Sequence, residues 1–172
     1  KKLVDFLLRH EKVCFDTETT GLDPFEAELV GISFSVKSHE AWYIPFPAER
    51  EPCMKKLEIL RPFFENPDIL KIGQNLKYDM QVLRQYGFEV KGSLFDTMIA
   101  HYLIQPELRH NMDYLSEAYL HYKPVPIEDL IGQKGKGQRS MREVELEKIC
   151  EYAAEDADVT VQLAEFFRPV LN

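Results

Sequence analysis

Three strand-length apolar segments fall within the first 46 residues: Val13 to Asp16, Leu29 to Val36 and Ala41 to Phe46. The last two are separated by Lys37-Ser38-His39-Glu40, so they read as a hairpin, and the chain opens with an antiparallel meander. Beyond it the pattern changes. Pro52 can occupy the first turn of a helix that reaches Phe64 and stops at Asn66-Pro67, and Ile69 to Ile72 is a fourth short strand. A helix follows, with Asn75 at its N-cap and Gly87 just past its end. Ser93-Leu94-Phe95 is a fifth strand, Asp96 caps a helix through Leu103, and Asn111 caps another through Leu120. A glycine-rich basic loop over 132–140 precedes a last helix from Glu143 to Phe167. Strands that first pair as a meander and then alternate with helices predict an α/β domain, a five-stranded mixed sheet flanked by helices on both faces.

Length fits one domain over 1–172, and with 45% hydrophobic residues the chain can bury a core without disulfide or metal. No apolar run is long enough to span a bilayer, so no membrane role is expected. Cys14, Cys53 and Cys150 are widely spaced and form no Cys-x-x-Cys pair, which argues for a reduced, cytoplasmic setting. A net charge of −8 argues against a protein that coats nucleic acid through a broad basic face. The start at Lys1-Lys2-Leu3-Val4-Asp5 has neither Met nor a signal-like apolar core, so a piece of a longer protein is expected.

Carboxylates stand where a core wants apolar groups. Strand alternation puts Asp16 and Glu18 on one face at the end of an apolar run. On the last helix the apolar stripe runs through Leu146, Ile149, Ala153, Ala157, Thr160, Leu163 and Phe167, and Tyr152 and Asp156 flank it while Glu155 and Asp158 look outward. Asp79 shares the inward face of its helix with Leu76 and Leu83. Each acid alone reads as a polar strand end, a helix-start acid or, for Asp156, a solvated helix acid. Together, any two at 4 Å would repel by about 4 kcal/mol at an effective dielectric of 20. A hard divalent cation removes that cost. An all-oxygen cage selects Mg²⁺ or Mn²⁺, and a pair of such ions suits phosphodiester cleavage.

The motifs Phe15-Asp16-Thr17-Glu18-Thr19-Thr20-Gly21-Leu22, Gly73-Gln74-Asn75-Leu76-Lys77-Tyr78-Asp79, Phe95-Asp96-Thr97-Met98 and Tyr152-Ala153-Ala154-Glu155-Asp156-Ala157-Asp158 are all present in that order, with Arg109-His110-Asn111-Met112-Asp113 and the Gly-Lys-Gly loop between them. This set resembles the 3′–5′ proofreading exonuclease domain of bacterial DNA polymerase I, of the exonuclease superfamily with four acidic ligands and a tyrosine in its third motif. The resemblance implies a ribonuclease H-like fold and two divalent metal ions, Mg²⁺ or Mn²⁺. It implies that Asp16 bridges both ions, that Glu18 and Asp156 complete the first site, and that Asp79 serves the second. Tyr152 would orient the attacking water, and nucleoside 5′-monophosphates would leave. Leu22 matches a position that wedges against terminal bases, and Gln74 and Asn75 match positions lining the cleft.

The implied substrate is a single-stranded or frayed DNA 3′ end, delivered by a tethered C-terminal polymerase domain, with the isolated domain a monomer. Lys134, Lys136, Arg139 and Arg142 form the densest basic run and are candidates for DNA contact, as is Lys77 beside Asp79. Two other readings stand beside this one. They are a free-standing 3′–5′ exoribonuclease with the same acids, and a catalytically silent structural domain, which should have lost acids that this chain retains.

Overall fold

The computed structural model of the chain describes residues 1–135 and 137–171. Strands β1 (Lys12–Thr19), β2 (Leu29–Lys37), β3 (Glu40–Pro45), β4 (Leu70–Gly73) and β5 (Leu94–Asp96) form one sheet in the order β3-β2-β1-β4-β5. β1 pairs antiparallel with β2, and β2 with β3, whereas β4 runs parallel to β1 and β5 parallel to β4. The short turn after Lys37 permits the hairpin. The parallel strands need long crossovers, which the helical segments between them provide.

Eight helices surround the sheet: α1 (Lys2–Leu7), α2 (Arg50–Leu57), α3 (Arg61–Phe64), α4 (Leu76–Gln85), α5 (Thr97–Ile104), α6 (Met112–Leu115), α7 (Ile127–Ile131) and α8 (Leu146–Leu171), counted among the described residues. Val13 and Phe15 of β1 pack with Leu7, Phe63, Phe64, Leu76 and Leu83, and the rings of Phe15 and Phe64 meet edge to face at 5.2 Å. Cys14, between them, faces the other way and packs with Ile72 against Val161 and Ala164 of α8. β1 is therefore buried on both faces. By the same alternation Asp16 and Glu18 follow Cys14 onto the α8 face, while Thr17 follows Phe15 onto the α4 face.

Several boundaries differ from the sequence reading. β1 continues to Thr19, because β2 pairs with it through Glu18 and Thr19, so both acids lie inside the strand and not beyond it. The helix expected from Pro52 to Phe64 starts at Arg50 and is broken by a 3₁₀ turn at Glu58–Leu60, after which Pro62 stands at the start of α3. Neither α1 nor α7 was anticipated, both being too short for helical periodicity to register. The last helix starts at Leu146, behind a 3₁₀ turn whose capping box links Ser140 and Glu143, and Leu146 is itself exposed. Glu155 and Asp158 do not look outward freely. Glu155 accepts from the Tyr122 hydroxyl and from Val125 N, and Asp158 accepts from His39 N.

Candidate active site

The central strand carries the first two acids and α8 the third. One carboxylate oxygen from each of Asp16, Glu18 and Asp156 lies within 4.8 Å of the others. Glu18 and Asp156 are only 6% and 5% exposed, so water does little to screen them. Burial, and then the charge of Glu18, holds the Asp16 carboxyl well above the usual carboxylate range. Burial and then Asp79 push Glu18 up to about 8, and burial with Asp16 and Glu18 raises Asp156. Oε1 of Glu18 is buried without a hydrogen-bond partner among the described residues. Three crowded acids, one with an idle buried oxygen, form a donor set that suits a hard divalent cation.

Asp79 stands apart from that trio. Although 2% exposed, it accepts from Thr17 N at 3.0 Å and from Thr17 Oγ1 at 2.5 Å, across the α4 face of β1. These bonds favour its charged form, against burial and the charge of Asp16, which raise its pKa. Tyr152 is half-buried one turn before Asp156, and burial, with Asp156 and Glu18, raises its phenol. Its hydroxyl thus stays protonated and can donate. The fold therefore draws together Asp16, Glu18 and Asp156, sets Tyr152 beside them, and holds Asp79 on the neighbouring face.

The expected cap on α4 is made by a different residue. Asn75 has left-handed φ and ψ (61° and 45°) and its side chain makes no capping bond. The carboxylate of Asp96 accepts instead from Asn75 N at 3.0 Å and Leu76 N at 2.8 Å, and it also caps α5 through Met98 N and Ile99 N. Gln74 is engaged at both ends, since its Nε2 donates to His110 O at 2.7 Å and its Oε1 accepts from the Thr97 hydroxyl. Leu22 is 84% exposed just beyond β1.

The basic candidates divide. Lys77 and Lys134 are exposed, and Lys136 lies outside the described residues. Arg139 donates to Leu130 O at 3.0 Å, and Arg142 donates to Phe46 O at 2.6 Å and Leu29 O at 2.7 Å. Arg142 is thus tied to the sheet, pinning the turn that leads into α8, and the basic run does not act as one patch. Two residues escaped the sequence reading. Thr17 was legible from alternation, as the middle residue of Asp16-Thr17-Glu18. Tyr78, which shares a hydrogen bond of 2.6 Å with Thr19 Oγ1 and donates to Gly21 O, gave no periodic signal.

The sequence model described as 3′-5′ exonuclease matches residues 1–172. DNA polymerase I of Borreliella burgdorferi is 40% identical over 174 residues, covering 99% of this chain and 18% of that protein. The chain therefore spans about a fifth of the length of this relative. Among solved structures, Brucella melitensis NrnC with bound Mg²⁺ superposes with a TM-score of 0.70 at 24% identity, covering 95% of this chain and 74% of that one. RNase D of Escherichia coli, an exoribonuclease involved in structured RNA processing, superposes with a TM-score of 0.70 at 18% identity, covering 96% and 41%. These likenesses bear on the fold, which is ribonuclease H-like.

Proposed function

The chain belongs to the 3′-5′ exonuclease family of DNA polymerase I, and on that premise we propose that it hydrolyses the terminal phosphodiester of a single-stranded or frayed DNA 3′ end. The observation that carries the chemistry is the trio of half-buried Asp16 and buried Glu18 and Asp156, one carboxylate oxygen of each within 4.8 Å of the others, with Oε1 of Glu18 left without a partner. Asp16, Glu18 and Asp156 would hold one divalent ion, and Asp16 with Asp79 a second, as Mg²⁺ or Mn²⁺. Bound there, such ions supply positive charge that neutralises the acids and the charge developing on the phosphate.

The chain's own groups do the remainder. Tyr152 keeps its proton and orients the attacking water by hydrogen bonding. Thr17 aims Asp79, and its two hydrogen bonds favour the charged carboxylate against the burial that raises its pKa. Leu22 offers an exposed apolar face to a terminal base, and the half-buried side chain of Asn75, not used as a cap, is available to the strand. Lys77 and Lys134 are exposed and suit phosphate contact, with Arg139 a lesser contributor because its guanidinium already holds Leu130 O.

With net charge −8 the chain has little means to bind DNA tightly alone, which suits a domain of a cytoplasmic polymerase that is handed 3′ ends through a tether. No helix among the described residues is long and apolar enough to cross a membrane. An RNA strand is the second reading, favoured by the likeness to RNase D. The greater identity to DNA polymerase I favours DNA, and retention of Asp16, Glu18, Asp79 and Asp156 argues against a silent spacer. Matched 3′-labelled DNA and RNA strands, with Mg²⁺ and with a chelator, test this: mononucleotides from DNA in Mg²⁺ alone are expected. Preferential trimming of RNA would replace the reading.

A further inference from the structure

His101 on α5 is fully buried, and the reaction proposed above has no use for it. Its Nδ1 lies 2.7 Å from Nδ1 of His110, and its Nε2 lies 2.8 Å from the Tyr119 hydroxyl. A neutral imidazole has one donor and one acceptor nitrogen. Both bonds therefore form together with a single direction through the ring, from His110 towards Tyr119 or the reverse. His110 ends a segment, Gln105 to Arg109, in which every residue is exposed, so the ring of His110 anchors a stretch with little other burial. The same residue's carbonyl holds Gln74, and Gln74 immediately precedes Asn75.

We propose that His101 is a positioning residue. Through His110 it fixes Gln74, and through Gln74 it fixes the turn that presents Asn75 to the 3′ end of the strand. The inference deepens the proposed function and rests on it.

The surroundings of the pair are aromatic. Tyr114 faces His101 from α6, Tyr119 from the turn that follows, Phe167 from α8, and Tyr102 meets His110 edge to face. Burial and then His110 lower the pKa of His101, so it is neutral at pH 7.

The test compares the chain with His101→Phe and His101→Asn on labelled single-stranded DNA in Mg²⁺, reading kcat and KM separately. Phe keeps bulk and removes both bonds, whereas Asn places a polar atom near the lost Nδ1 and restores the bond to His110. KM is expected to rise about five- to tenfold in His101→Phe, the loss of one such bond, with kcat changed less than about twofold. His101→Asn should return to within about twofold of the native KM. NMR of the Gln74 side-chain amide should shift in His101→Phe and hold its place in His101→Asn. An unchanged KM, equal impairment of both variants, or an unmoved Gln74 amide overturns the inference. The amide signal needs no activity, so a native chain that fails to degrade DNA would count against the proposed function alone.

Discussion

Thr17 gives both its backbone N–H and its hydroxyl to the carboxylate of Asp79, and so joins α4 to the strand that carries Asp16 and Glu18. Both residues are buried, so nothing else readily replaces these bonds. Thr17→Val keeps the shape and the backbone bond but removes the hydroxyl, leaving a buried carboxylate short of a donor. Stability should fall by about 1–3 kcal/mol, read as a lower denaturation midpoint, and Thr17→Ser should restore most of it.

Asp16 is the shared member of the proposed ion sites. Asp16→Ala should reduce nucleotide release by about 10³-fold or more, since several kcal/mol of transition-state stabilisation are lost. It also removes one of three mutually repelling acids, so the metal-free variant should melt at or above the native temperature. Mg²⁺ should raise the melting temperature of the native chain and leave that of the variant unmoved. A retained Mg²⁺ shift would contradict the assignment.

Tyr152→Phe should be milder. Water is still attracted to the site but is less well aligned, so turnover should slow by about 10- to 100-fold with Mg²⁺ affinity intact. Titrating Mg²⁺ against rate separates the two effects. A weakened affinity would give Tyr152 a structural part in holding the acids together.

Lys71 of β4 is fully buried, and its ammonium donates to the carbonyls of Asn66 and, at 2.7 Å, Lys91. Burial lowers its pKa from 10.5 to about 8. Below pH 8 the group is charged in both states, and only the folded state carries the desolvation cost. Between pH 8 and 10.5 the folded state gives up its proton first, so this residue's contribution to stability rises with pH, by about 3 kcal/mol in all. Urea midpoints of the native chain relative to Lys71→Met, taken at pH 7 and pH 9.5, should move in favour of the native chain. A constant difference would mean an unshifted lysine.

Asp96 caps two helices with one carboxylate. Asp96→Ala should cost about 2 kcal/mol or more and lower the melting temperature by about 4–8 °C, more than a single exposed cap would.

Much of this was legible in the sequence because it rests on local periodicity. Alternation along β1 gave the shared face of Asp16 and Glu18, and the spacing of Tyr152 and Asp156 gave their common flank. What the sequence hid depends on who arrives from a distance. Asn75 has the right chemistry for a cap, yet Asp96, brought alongside by the parallel pairing of β4 with β5, reaches the same N–H groups with a charge and wins them. Arg139 and Arg142 carry the charge expected of a phosphate contact, and backbone carbonyls elsewhere in the fold occupy them first.

The acids come from β1, α4 and α8, so Asp16 meets Asp156 only after nearly the whole chain has been threaded into place. Contacts of such long sequence separation form late, because loop-closure entropy must be overcome before they reward the chain. On the ribosome β1 and α4 emerge well ahead of α8. A nascent or half-folded domain thus holds Asp16, Glu18 and Asp79 without Asp156, and the proposed metal centre is assembled only once α8 has packed against the sheet.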